Sequence, residues 1–109
     1  ILLGRCRFCS FLKLLSYRHT ANGHTATGTV YLTSSGAGAS TEYELIESLS
    51  VSVLAYYRIG AMHYDTGNST HNFSGQVSTS CSLPSGATPI EATGTHTVAG
   101  SSINTYYWY

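Results

Sequence analysis

The chain is predicted to be all-β, an antiparallel sandwich with an extended strand at its N-terminus. Three observations predict this. Apolar and polar residues alternate with period two along most of the chain. Short clusters of Gly, Asn, Ser and Pro separate the alternating runs. No stretch has the apolar spacing of an amphipathic helix.

The first element is an arm. Its even positions, Leu2, Gly4, Cys6, Phe8, Ser10, Leu12 and Leu14, form one face, while Arg5, Arg7 and Lys13 are all odd. A strand puts such charges on one side, whereas a helix scatters them. Residues 24–33 place His24, Ala26, Gly28, Val30 and Leu32 on one face and Thr25, Thr27, Thr29, Tyr31 and Thr33 on the other. Residues 43–59 alternate over a long run, with Leu45, Leu49, Val51, Val53, Ala55 and Tyr57 opposite Glu44, Ser48, Ser50 and Ser52. In residues 70–83 the even positions are all polar, so Phe73, Val77, Cys81 and Leu83 are expected to face the core. Residues 90–98 set Ile90, Ala92 and Val98 against Glu91, Thr93, Thr95 and Thr97. Residues 103–109 are a β-favouring aromatic run. Turns are expected at 21–23, 34–40, 65–68, 83–89 and 99–102, where Asn, Gly, Asp, Ser and Pro gather. Strands with one apolar face, punctuated this way, pack as antiparallel sheets.

Charge divides the chain into an arm, residues 1–18, and a sandwich body, residues 19–109. The arm holds Arg5, Arg7, Lys13 and Arg18 and no acid, a charge of +4. The body holds Arg58 against Glu42, Glu44, Glu47, Asp65 and Glu91, a charge of −4. A basic, apolar arm on an acidic body must bury itself against its own body or a neighbouring copy. In the first case it is an ordinary first strand. In the second it is a donated strand, a head-to-tail contact that does not close and so builds a filament. The expected subunit contacts are Leu2, Arg5, Arg7, Phe8, Leu12 and Leu14 on the arm, with Glu42 and Glu44 on the body.

Composition narrows the function classes. A length of 109 residues fits one domain. Charged residues are only 9%, well below the roughly 25% usual for soluble domains. Ser, Thr, Gly and Tyr dominate instead, which fits an extracellular or cell-surface β-protein with hydroxyls on its exposed faces. Formal neutrality and the confinement of basic residues to one arm argue against nucleic acid. Arg5, Arg7 and Lys13 interrupt the arm, leaving no apolar run long enough for a membrane span. With no initiator Met, the chain is expected to be a processed or partial product.

Three cysteines, Cys6, Cys9 and Cys81, leave at least one unpaired within a chain. Cys6 and Cys81 both fall on core-facing positions, so a Cys6–Cys81 bridge from arm to body is the preferred pairing. The other reading is buried reduced thiols. Cys6-x-x-Cys9 has no second CxxC or His pair to complete a zinc site. Two sequons, Asn68-Ser69-Thr70 and Asn72-Phe73-Ser74, make Asn68 and Asn72 candidates for covalent glycans. The histidines lack ligand spacing, and His24, His71 and His96 fall on predicted inward faces, as hydrogen-bonded structural residues. No G-x-S-x-G elbow, phosphate loop or dinucleotide fingerprint occurs. The expectation is a protein without catalytic residues, cofactor or metal. Tyr56-Tyr57 and Tyr106-Tyr107-Trp108-Tyr109 have two readings: an exposed platform for sugar or protein, or aromatic filling of the core and subunit contacts.

The stretch Leu83-Pro84-Ser85-Gly86-Ala87-Thr88-Pro89, Gly94-Thr95-His96-Thr97-Val98 and Thr105-Tyr106-Tyr107-Trp108-Tyr109 resembles the end of secreted bacterial Ig-like β-sandwich proteins. The Ser/Thr/Tyr-rich chemistry with an apolar N-terminal strand is also similar to subunits of donor-strand pili and related extracellular filaments. The basic, cysteine-bearing arm departs from the general pilin pattern, and no Ig Cys-Trp-Cys pattern is present. The resemblance implies a secreted sandwich. With the charge split, it makes an extracellular filament subunit, a helical homopolymer, the leading expectation. A monomeric secreted binding module for carbohydrate or adhesion is the alternative.

Overall fold

The computed structural model describes residues 14–109, and every regular element within them is a strand. The strands are β1 (Leu14–Ala21), β2 (His24–Leu32), β3 (Gly36–Ile59), β4 (Met62–Ser82), β5 (Thr88–Val98) and β6 (Ser101–Trp108). All pairings are antiparallel. The sheet runs β1-β2-β3-β5-β6, with β4 also paired to β3. Cys6, Leu2, Arg5, Arg7, Phe8 and Leu12 lie outside the described residues, so the arm contacts and the Cys6 pairing fall there too.

Turn chemistry sets three hairpins. Asn22 and Gly23 both have positive φ, 50° and 79°, the two-residue turn for which Asn-Gly is suited. Ala99 and Gly100 repeat it between β5 and β6, at 50° and 85°. The β3–β4 turn is Gly60-Ala61, with Gly60 at φ 63°. The turn expected at residues 65–68 is absent, because these residues lie inside β4. Gly67 is needed there for another reason: a Cβ would sit 2.6 Å from the Val53 carbonyl oxygen. At the other end of β3, Gly36 to Ser40 are strand rather than loop.

β3 has 24 residues and β4 has 21. Straight, β3 would span roughly 80 Å at about 3.3 Å per residue. The longest dimension of the molecule is only 45 Å, so both strands must bend. The β3–β4 register slips between Glu42 and Glu47, opposite Ser74 and Gln76. Such an irregularity bends and twists a strand pair. β2 pairs with β3 before the slip and β5 after it, so the bend folds β2 over β5. The Asn68 side chain then reaches the Ser80 carbonyl oxygen of its own strand, at 3.1 Å. At the far edges, β1 and β6 approach each other. The result is a nearly closed, barrel-shaped antiparallel sheet. The all-β antiparallel expectation holds, but two separate sheets of a sandwich are not clearly distinguished.

The core lies inside this barrel. Val30 and Leu32 from β2, Leu49 and Val51 from β3, and Val98 from β5 are essentially inaccessible. Each comes from the apolar face of an alternating run, as the sequence predicts. The slip also reverses the facing of β4. Val77 pairs with Thr41 and points inward, whereas Phe73 pairs with Ser48 and is 66% exposed. The inward placement expected for Phe73 is therefore corrected. The same reversal turns His71 outward, where its Nε2 lies 2.8 Å from Ser48 Oγ. Phe73→Ser should change unfolding free energy by no more than about 0.5 kcal/mol, as surface changes usually do. Val77→Ser should cost about 2 kcal/mol, because a hydroxyl replaces buried methyls. Urea unfolding of both variants checks the reversal directly.

Candidate functional site

The face of β3, β5 and β6 turned away from the core carries two of the exposed aromatic side chains, Tyr106 and Trp108. Register aligns two cross-strand rows on it. Tyr56, Glu91 and Trp108 form one, and Leu54, Thr93 and Tyr106 form the next. The first row continues to Asp65 on β4. Tyr106 and Trp108 are two residues apart on β6, so both rings point the same way. Their centroids are 6.1 Å apart and their planes 18° from parallel. Trp108 is 64% exposed and Tyr106 40%.

Beside this pair is an open cleft of about 480 Å³. Tyr56, Tyr57, His63, Tyr64, Glu91 and Tyr106 contribute to its lining. Its shape depends on a second register slip: Tyr56 pairs with Glu91 but Tyr57 with Pro89, leaving Ile90 as an extra residue. Proline has no N–H to give to a ladder, which favours an irregularity there. The Ile90 carbonyl instead accepts from the Tyr109 backbone N–H at 3.1 Å. Tyr57 and Tyr64 stack at 5.6 Å on the core-facing parity of β3 and β4.

The interior holds a polar group of another kind. His96 of β5 is fully buried, with Nδ1 2.9 Å from Thr41 Oγ1 and Nε2 2.8 Å from Thr105 Oγ1. A neutral imidazole has one donor and one acceptor nitrogen. One hydroxyl therefore accepts from the ring and the other donates to it. Burial pushes the His96 pKa down to about 4, and a nearby His19 charge adds to that. The ring ties β3, β5 and β6 together and is closed to solvent. This is the hydrogen-bonded structural role expected for it.

The other predicted residues are dispersed. Glu42 and Glu44 are exposed, but on a central strand rather than at an edge, with Glu42 flanked by Thr27 and Gln76. Glu44 accepts from His24 at 3.3 Å, and that bond with those from Thr25 holds its carboxyl below the ordinary value. His24, expected inward, stands half-buried at this contact. Leu14 opens β1 opposite Tyr31. Cys81 packs against the core with no disulfide among the described residues, its pKa raised by burial. Asn68 and Asn72 are both exposed on β4. The Asn68 amide is engaged with Ser80, while Asn72 Oδ1 accepts from the Phe73 backbone N–H.

Among the described residues no group of three His, Cys, Asp or Glu is placed to hold a metal ion. Among them, too, no helix is long and apolar enough to cross a membrane. The sequence singled out Tyr56, Tyr57, Tyr106 and Trp108. It did not reveal that Glu91, His63 and Tyr64 join them, because that depends on the Gly60-Ala61 turn and the slip at Ile90. No family model, curated protein or solved structure matches the chain.

Proposed function

We propose that this protein is a non-enzymatic, extracellular binding module whose working surface is the aromatic face of β3, β5 and β6. The observation that supports it is the exposed Tyr106–Trp108 pair beside the cleft. A chain with one tryptophan leaves that residue 64% exposed. Burying a side chain of that size would add substantially to stability. Exposed aromatics grouped with a few polar groups are a common composition of binding surfaces. Chemical-shift mapping by NMR against a panel of extracellular polymers, both glycans and matrix proteins, tests this. The expected result is shifts confined to Tyr56, Glu91, Thr93, Tyr106 and Trp108. Trp108→Ala should abolish them without changing the melting temperature. No shifts at this face with any polymer would sink the reading.

A second reading, the filament subunit, keeps one observation in its favour. Among the described residues β1, the strand that follows the basic arm in sequence, is a terminal strand of the sheet and pairs with β2 alone. Its outer edge approaches β6 without a ladder. Strand addition from a second copy needs such an edge. In this reading Leu2, Phe8, Leu12 and Leu14 supply the apolar contact, and Arg5 and Arg7 meet Glu42 and Glu44 of the neighbour. Negative-stain microscopy of the same samples decides between the two: filaments favour the subunit, uniform monomers the module.

A further inference from the structure

We infer that the aromatic face binds an uncharged oligosaccharide chain. The inference rests on the binding-module reading and names its ligand. The face is a small grid. Trp108, Glu91 and Tyr56 lie side by side in one row, and Tyr106, Thr93 and Leu54 in the next. Neighbouring strands are about 4.8 Å apart, and alternate residues along a strand about 6.8 Å. The grid therefore measures roughly 10 by 7 Å, close to the footprint of two pyranose rings. Its composition is ordered across the strands. Flat rings stand on β6, a carboxylate and a hydroxyl stand on β5, and Tyr56 closes the far side on β3.

A pyranose matches this order. Its C–H face is apolar and planar enough to lie against the exposed side of the stacked Tyr106–Trp108 pair. Its rim of hydroxyls can donate to the Glu91 carboxylate and exchange hydrogen bonds with Thr93. Tyr106 and Trp108 stack on each other at 6.1 Å, and the row of Trp108, Glu91 and Tyr56 runs on from them across three strands, so a chain fits better than a single sugar.

Charge selects among sugars and excludes other polymers. Glu91 and Asp65 share one row, and among the described residues the cleft lining includes His63 but no Lys or Arg. The nearest basic residue along β3, Arg58, donates to the Gly60 carbonyl at 3.1 Å, at the hairpin tip. Phosphate polymers and acidic glycans would meet the Glu91 and Asp65 carboxylates on this face.

The test is isothermal titration of the intact protein with neutral gluco-, manno-, xylo- and N-acetylglucosamine oligosaccharides of four to six units. Polygalacturonate serves as the acidic control. At least one neutral series should bind saturably and shift the Glu91, Thr93, Tyr106 and Trp108 resonances. Trp108→Ala and Glu91→Gln should each weaken it at least tenfold while leaving the melting temperature unchanged. Polygalacturonate should not bind. The inference is overturned if no neutral series binds, if both variants bind as tightly as the parent, or if polygalacturonate binds equally well. Failure with every sugar while a matrix protein still shifts these resonances removes the carbohydrate and leaves the binding module standing. Failure with every polymer removes both.

Discussion

Gly28→Ala lowers the unfolding free energy by about 2–3 kcal/mol, a large effect for one methyl group on a strand. A Cβ at residue 28 would lie 2.7 to 2.9 Å from the Cδ2, Cγ and Nε2 atoms of His96. The ring has no room to retreat. Thr41 and Thr105 hold its two nitrogens, and Gly94 is itself in close approach, where a Cβ would come 3.0 Å from Nε2. His96→Ala should cost about 3–5 kcal/mol, since it opens a cavity and leaves two buried hydroxyls unpaired. The double variant is the informative one. With the ring gone, the methyl at residue 28 enters the vacated space. The pair should then cost at least about 1 kcal/mol less than the sum of the singles. Gly75→Ala is the control, because its Cβ would meet nothing nearer than 3.6 Å. Urea unfolding of the four variants measures all of this. Strict additivity of residues 28 and 96 would mean that the two strands do not press on each other through this ring.

That contact also shows where the sequence ceases to be legible. The alternation in residues 24–33 and 90–98 assigns Gly28 and His96 to inward faces correctly, because period two is a local property. Nothing local says that these two inward faces oppose each other. β2 and β5 meet only because β3 and β4 bend at the slip between Glu42 and Glu47, and that bend makes a barrel of what reads as a sandwich. Phe73 fails for the same reason. Its parity matches Val77 in sequence, but an irregularity between them reverses the facing. Asp65-Thr66-Gly67-Asn68 has the composition of a turn, yet Gly60-Ala61 makes it, so a tight hairpin can be carried by one glycine with positive φ. The candidate site was half legible. Aromatic residues announce themselves by type, whereas Glu91 is unremarkable until the slip at Ile90 sets it between Tyr56 and Trp108.

Stability should fall steeply as pH drops from about 6.5 to about 4, and His96 is the cause. Its pKa in the fold is about 4 against an ordinary 6.5, with burial the main reason and the His19 charge the second. Through that interval the unfolded chain binds a proton that the folded chain refuses, so each step down in pH favours unfolding. Above 6.5 the imidazole is neutral in both states and the fold keeps its full stability. Below 4 it is protonated in both and the loss levels off. The difference corresponds to roughly 3 kcal/mol at about 1.4 kcal/mol per pH unit. Against the ring β2 presents Gly28, and β3 and β6 present threonines. Glu44 acts in a separate range: its lowered pKa places its loss below the ordinary carboxylate value of 4.5. His96→Gln isolates the effect. An amide offers the two hydroxyls a donor and an acceptor but does not titrate. The variant should start less stable at pH 7.5 and show a nearly flat profile between 6.5 and 4.5. Denaturant midpoints across the pH series, read from far-ultraviolet circular dichroism, give both curves. A parent and variant that fall in parallel would place the acid sensitivity elsewhere and leave His96 a packing group alone.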